Sequence, residues 1–254
     1  MTKLIFIHTN NPTKMSQPTA LSFEYSWPNG ESVDTNQVDS WELKASRRAL
    51  KNLKTLLAGQ PMLDLIKDQM DQADTYFKSI IDKSNGEFTE SRIDLKVKGI
   101  SAAQFITWWN VWLSEMLNQP PEVKRQVFID TMVPSHPEHY AHLIDQEGIV
   151  ETIGGHLARV SLHPCPNPPE CIKAFGDPSF QNLPAQGTLK DGSTFAYIYQ
   201  ELRDSDNGCD FRLRVLFPAA APQLLLDEHA EHLAVEFRSF IKTAFEWNQK
   251  QSEK

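Results

Sequence analysis

The sequence predicts an α+β fold in which an antiparallel sheet packs against one long C-terminal helix. Three observations lead to this prediction. Two amphipathic helical runs lie in the first third of the chain, short alternating runs typical of half-buried strands dominate the second half, and a helical run from about Pro222 to Trp247 closes the chain. A curved sheet around such a helix leaves a cavity suited to an apolar ligand.

The N-terminal part combines two short strands with two helices. "LIFIHTN" and "ALSFEYSWPNGES" predict strands, the second with a Pro-Asn-Gly turn, and "VDSWELKASRRALKNLKTLLAG" and "MLDLIKDQMDQADTYFKSIIDK" predict amphipathic helices. We interpret residues 1–254 as a single domain. Within it, residues 1–90 are a candidate lid or homodimer surface, and residues 91–247 hold the core.

The strands of the core follow from alternation of apolar and polar residues. A half-buried strand is predicted for "SRIDLKVKG", two strand segments around a Gly-Gly bulge for "IVETIGGHLARVSLH", and an antiparallel hairpin for "GSTFAYIYQELRD" with "CDFRLRVLFP". Between them, "SAAQFITWWNVWLSEMLNQP" predicts an apolar helix with a Ser N-cap. "VPSHPEHYAHL" and "CPNPPECIKAFGDPSFQNLP" predict irregular structure because both are rich in proline.

Charge and cysteine content exclude several classes of protein. The 254 residues include 25 Lys and Arg against 33 Asp and Glu, a net charge of -8, so no basic face is expected for nucleic acid. No apolar run approaches the roughly 20 residues that span a bilayer. The three cysteines (Cys165, Cys171 and Cys209) form no CxxC pair. A cytoplasmic protein is expected.

The terminal helix carries two polar residues beside its apolar stripe. His232 and Glu236 are four residues apart and flank Leu233 and Phe237. Side chains at this spacing project from one face of a helix, as the ligands of metal-binding helices do. The alternative is a half-exposed pair that supports the helix surface.

Further candidate metal ligands lie upstream, since seven of the eight histidines fall between residues 136 and 232. His136, His139 and His142 lie in the proline-rich loop, where the alternative is a solvated surface. Glu151 lies in a strand-like run, and a buried carboxylate there needs either a metal or a cation such as Arg159.

Large aromatic residues are candidates for the lining of the cavity. Trp108, Trp109 and Trp112 recur at helical spacing, which is more typical of a core than of a binding surface. We expect Trp109 or Trp112 to reach the cavity beside Phe240.

Five motifs in fixed order resemble one family. "ITWWNVW", "HPEHY", "VETIGG", "RDSDNGCDFRLRVLF" and "HLAVEF" follow one another as in the 2,4-diacetylphloroglucinol hydrolase and phloretin hydrolase family, over roughly residues 91–245. The resemblance implies a helix-grip fold, similar to START-like and pollen-allergen-like proteins, and a zinc ion that serves hydrolysis of a carbon–carbon bond between an acyl group and a phenolic ring. It implies as ligands His139 (or its neighbour His136), Glu151, His232 and Glu236.

The chain departs from the family at one catalytic position. The family has a histidine on the strand before the hairpin turn, whereas "YIYQELRD" places Tyr199 or Gln200 there. These two are the candidate catalytic residues, and a tyrosine there can donate a proton or bind a phenol. The sequence therefore predicts a zinc-dependent hydrolase of an acylated phenol or polyketide-like ketone, or alternatively a metal-free helix-grip module that binds an apolar small molecule.

Overall fold

The computed structural model describes residues 22–143 and 148–253 and divides the chain into two units, Met1–Ala45 and Ser46–Lys254. In the first unit, strands β1 (Tyr25–Ser26) and β2 (Ser32–Val33) pair through the predicted Pro-Asn-Gly turn. The strand predicted for "LIFIHTN" lies outside the described residues. Helix α1 (Thr35–Leu56) begins in the first unit and ends in the second.

Helix α2 (Gln60–Ser84) confirms the second amphipathic prediction. Its buried residues recur every three or four positions, which places them on one stripe: Met62, Ile66, Met70, Ala73, Phe77 and Ile80. The helix ends at Asn85, whose φ of 50° is a left-handed cap. Because this helix packs against the sheet within the second unit, it contributes to the main core.

Seven strands of the described chain form one antiparallel sheet that curls into a half-barrel. Their order across the sheet is β3-β9-β8-β7-β6-β5-β4. They are β3 (Phe88–Lys98), β4 (His139–Leu143), β5 (Gly148–Ile153), β6 (His156–Pro164), β7 (Gln181–Thr188), β8 (Thr194–Ser205) and β9 (Gly208–Pro218). The α+β class is thereby confirmed.

Three local predictions were wrong. Gly154 and Gly155, expected as a bulge, have φ angles of 56° and 75° and form the two-residue turn between β5 and β6. Positive φ at both positions is the mirror-image turn that matches the twist of a hairpin, and glycine adopts it without steric cost. The two proline-rich segments, expected to be irregular, contain β4, the start of β7 and a short helix α6 (Glu170–Lys173).

The remaining helices lead to the site. Helix α3 (Ala102–Leu117) begins at Ser101, where Ser101 and Gln104 form a reciprocal capping box. After it, α4 (Pro121–Val127), a π-helical turn (Phe128–Met132) and α5 (Val133–Ser135) run on to His136.

Helix α7 (Gln223–Ser252) closes the chain and packs on β3, β9 and α3. Its buried apolar residues, Leu233, Phe237 and Phe240 among them, join the principal core. No helix in the described ranges is long and apolar enough to cross a membrane.

Candidate metal centre

The pairing of β4 with β5 brings two of the predicted ligands together. His139 and Glu151 are direct cross-strand partners, next to an irregularity in the ladder between His139 and Ala141. Alternation along β5 places Glu151 on the same face as Ile153, which belongs to the core that contains α7. Both side chains are buried: His139 is 1% exposed and Glu151 is 6% exposed.

Helix α7 supplies the other two predicted ligands from one turn. Nε2 of His232 lies 3.1 Å from Nε2 of His139 and 3.5 Å from Oε2 of Glu151. Nε2 of His139 in turn lies 3.2 Å from Oε2 of Glu151 and 3.5 Å from Oε1 of Glu236. Nε2 of His139 thus lies within 3.5 Å of the ring nitrogen of His232 and of one carboxylate oxygen each of Glu151 and Glu236.

The second ring nitrogen of His139 is held by the end of the π-helical turn. Nδ1 lies 3.3 Å from the carbonyl oxygen of Met132 and 3.4 Å from the hydroxyl of Ser135, which itself donates to Met132. A carbonyl can only accept, so Nδ1 carries the proton and Nε2 keeps its lone pair when the ring is neutral. His139 therefore presents Nε2 to the cluster as an electron-pair donor.

His136 lies beside this group and adds a third ring. It stacks on His232 with ring centroids 3.7 Å apart and an interplanar angle of 24°. Ligand atoms of His136, His139 and His232 all lie within 4.8 Å of one another, and all three residues are buried. This buried group of three histidines can hold a metal ion.

A cavity of about 360 Å³ reaches the histidines from the surface. Its lining comprises His136, Glu138, Thr152, Gly154, Gly155, Glu228, His229, Glu231, His232 and Val235. Nδ1 of His229 and Nδ1 of His232 are buried and have no hydrogen-bond partner among the described residues.

Burial and mutual charge shift the pKa values of the acidic residues in opposite directions. Burial favours a raised pKa for Glu151, but the rings of His232 and His139 outweigh it and lower the pKa to about 2. Burial raises the pKa of Glu236 to about 7, with Glu151 adding to this effect and His139 opposing it. At neutral pH Glu151 is ionised, whereas Glu236 is only partly ionised.

The pKa values of the histidines also shift in opposite directions. Burial lowers the pKa of His232 to about 3 and that of His229 to about 4. Burial also favours a lower pKa for His139, but Glu151 and Glu236 outweigh it, so the pKa of His139 is raised. His139 is therefore the ring that takes up a proton most readily in the metal-free protein.

Arg159, the alternative partner considered for Glu151, lies elsewhere. Its guanidinium forms an ion pair with Asp74 of α2 at 2.9 Å. Glu151 instead contacts the histidines. The side chain of His142, a further candidate from the proline-rich segment, lies outside the described residues.

The structure does not bring Tyr199 and Gln200 to this cluster. Tyr199 packs in a separate cluster with Ile172 and Leu216, and its hydroxyl accepts a hydrogen bond from Asn182 at 3.2 Å. Its neighbour Ile198 packs against the core that contains α7, so Tyr199 faces the other side of the sheet. Gln200 is buried, and its side-chain oxygen accepts the backbone N–H of Arg214 at 2.8 Å.

The predicted aromatic lining packs as core. Trp109 and Trp112 lie 5.4 Å and 6.3 Å from Phe240 between ring centroids, and Trp108 and Phe237 extend this aromatic cluster. The residues around the cavity include none of these rings. Nε1 of Trp112 is buried without a hydrogen-bond partner in the described structure.

Two residues near the site were not predicted. His229 lies three positions before His232 on α7, and this spacing places it on the same helix face, a signal present in the sequence. Lys54 of α1 is 2% exposed, donates a hydrogen bond to the carbonyl of Pro137 and lies 5.5 Å from the ring of Tyr140. No local pattern connects Lys54 to a loop more than eighty positions away.

Comparison with known proteins adds no family to this description. No family model matches the chain, and no curated protein matches it.

Proposed function

We propose that this chain is a zinc-dependent hydrolase, in a helix-grip fold, that cleaves the carbon–carbon bond between an acyl group and a phenolic ring or a similar ketone. In this reaction water supplies a hydroxyl group to the acyl carbon and a proton to the ring carbon. The observation that carries the proposal is the convergence of His139, Glu151, His232 and Glu236.

The separations of these donor atoms suit a tetrahedral zinc ion. With bonds of about 2.0 to 2.2 Å, two donors of one tetrahedron lie about 3.3 to 3.6 Å apart. Four of the six separations among these donor atoms are 3.1, 3.2, 3.5 and 3.5 Å, at or slightly below this range. The hydrogen bond from Nδ1 of His139 to a backbone carbonyl is the outer contact that zinc-binding histidines usually make.

The chemistry of the donor set also suits catalysis. Zinc at such a site supplies a Lewis acid that polarises a carbonyl oxygen and acidifies water. Two neutral rings and two carboxylates would hold it. Because four protein donors fill a tetrahedron, water or substrate would have to bind at an additional coordination position. The cavity gives a substrate access to the site, since His232 forms part of its wall.

The alternative, an apolar carrier without a metal, has less support. A carrier needs an apolar cavity, whereas the cavity beside the histidines is lined mainly by carboxylates, imidazoles and small residues. The aromatic residues expected to line a carrier pack against one another instead.

Metal content tests the proposal directly. Plasma mass spectrometry on protein without a polyhistidine tag is expected to find about one zinc per chain, and none in the His232→Ala, Glu236→Ala double variant. A matched His163→Ala, Glu170→Ala variant changes two exposed residues and is expected to keep its zinc. Zinc-loaded wild type should then hydrolyse simple hydroxyacetophenones. Failure to bind zinc when it is offered to folded protein would refute the proposal.

A further inference from the structure

We propose that His136 is not a metal ligand but a fixed hydrogen-bond donor, whose Nε2–H binds an oxygen of the substrate beside the metal. The inference rests on the proposed function and assigns a catalytic role to a residue of the three-histidine group. It is carried by the tautomer of the ring, its position on His232 and its place in the cavity wall.

The tautomer follows from one backbone contact. The backbone N–H of Glu138 donates to Nδ1 of His136 at 3.1 Å. Nδ1 must therefore hold a lone pair, and in a neutral ring the single proton is on Nε2. The ring is 6% exposed and lies against the rings of His139 and His232.

The same contact argues against coordination by His136. Its Nδ1 lone pair is already directed at the N–H of Glu138. Nε2 could bind a metal in a neutral ring only if the proton moved to Nδ1, which would break the hydrogen bond from the N–H of Glu138. His139 differs in this respect, since its Nδ1 faces a carbonyl and its Nε2 is free to bind.

Position makes His136 useful to a substrate. Its ring lies flat on His232 at 3.7 Å and forms part of the cavity wall. Among the residues described, none makes a hydrogen bond with Nε2 of His136. A substrate oxygen in the cavity would accept a hydrogen bond from this N–H.

The charge of the cavity wall defines which oxygen fits. Glu138, Glu228 and Glu231 line the cavity, and its described lining contains no Lys or Arg. Anionic groups are therefore repelled, and an uncharged acceptor such as a ketone carbonyl or a hydroxyl is favoured. A neutral imidazole that donates to a carbonyl oxygen stabilises the negative charge that develops there during attack.

Nuclear magnetic resonance tests the assignment without any activity. In ¹⁵N-histidine-labelled protein, His136 should show the Nε2–H tautomer both without metal and with ¹¹³Cd bound. Cadmium–nitrogen coupling should appear at His139 and His232 and be absent at His136. Coupling at His136, or an Nδ1–H tautomer, would overturn the proposal. If cadmium and zinc do not bind at all, the proposed metal function fails. The observed tautomer still tests whether Nε2 of His136 carries the proton.

Two substitutions of His136 distinguish the role of Nδ1 from that of Nε2. His136→Asn keeps an acceptor near Nδ1 but lacks the Nε2–H, whereas His136→Gln carries an amide to the Nε2 position. Both should retain zinc. With a hydroxyacetophenone substrate, His136→Asn should lower kcat/KM on the order of 10²-fold, as expected for loss of one donor, and His136→Gln should recover part of it. Unchanged kcat/KM in His136→Asn, or loss of its zinc, would contradict the donor role.

Discussion

The Nε2 atoms of His139 and His232 lie 3.1 Å apart inside the protein, a separation at which two lone pairs repel unless a cation lies between them. A proton or a metal ion can fill this role. The raised pKa of His139 indicates that the metal-free protein uses a proton, because the carboxylates of Glu151 and Glu236 stabilise the charged ring. A metal therefore competes with protons for the same atoms.

Glu151→Gln should weaken zinc binding at least about 10-fold, because it replaces an anionic donor with a neutral one of the same shape. In the metal-free protein the same change should lower the pKa of His139, since the hydrogen bond and charge of Glu151 raise it. Competition titration with a chelator and NMR titration of the ring measure the two effects. Glu228→Gln, in the cavity wall, is the control, and an equal loss of zinc affinity in it would contradict a specific role for Glu151.

Zinc binding should release protons, and the release should shrink as the pH rises. The pKa of Glu236 is raised to about 7, so below pH 7 its carboxyl keeps a proton that zinc must displace. Above pH 7 the carboxylate is already free. Calorimetry at pH 6 and pH 8 in buffers of different ionisation enthalpy counts the protons released. In Glu236→Gln the difference between the two pH values should be smaller, and an unchanged count would exclude Glu236 as the source.

Acid should destabilise the metal-free protein below pH 6.5. Burial lowers the pKa values of His136, His229 and His232 to about 2, 4 and 3, whereas their ordinary value is 6.5. Between those limits the unfolded chain binds protons that the folded chain does not, so stability falls as the pH falls. Glu236 and Glu138, whose pKa values are raised, act in the opposite direction below pH 7, and His139 does so above pH 6.5, but below pH 6.5 the three rings outnumber the two carboxyl groups.

Urea unfolding at pH 7.0, 6.0 and 5.0 measures this dependence. His229→Gln should make it shallower, whereas His163→Gln, at an exposed position, should leave it unchanged. A stability that is constant over this range would show that the three rings are accessible to protons in the folded state.

The sequence allowed prediction of the half of the site that depends on local spacing. His232 and Glu236 lie one turn apart, and helical periodicity alone places them on one face. His139 meets Glu151 only because β4 pairs with β5 in a particular register. The proline content of this short segment predicts irregular structure, so the sequence does not reveal β4 or its register. The prediction for Tyr199 fails for another reason. Neighbouring residues of a strand point to opposite faces of the sheet, and the motif that placed Tyr199 does not determine which face carries the site.

Lys54 should stabilise the loop between His136 and His139. Its ammonium group donates to the carbonyl of Pro137, and burial lowers its pKa to about 8, partly offset by Glu138. Lys54→Met should weaken zinc affinity, because the loop would lose an anchor while the ligands themselves are unchanged. Lys51→Met, one turn earlier in a half-exposed pair with Asp130, is the matched control. Equal zinc affinity in both variants would exclude an anchoring role.

Arg214 should dominate the stability of the sheet independently of the metal. Arg214 is 1% exposed, and its guanidinium pairs with Glu90 at 2.7 Å and Glu201 at 2.8 Å, linking β9 to both neighbouring strands. Arg214→Met leaves the carboxylate of Glu201 buried and without its cation, so the free energy of unfolding should fall by about 3 to 5 kcal/mol.

Arg92→Met removes a partly exposed pair with Asp94 and should cost less than about 1 kcal/mol. Urea unfolding of the metal-free proteins compares the two variants, and similar losses in both would show that the buried pairs contribute no more than a surface pair. Because this network lies on β3, β8 and β9, whereas the proposed ligands lie on β4, β5 and α7, zinc added to folded Arg214→Met should still bind at wild-type stoichiometry. Loss of zinc from the folded variant would instead show that the site depends on the far edge of the sheet.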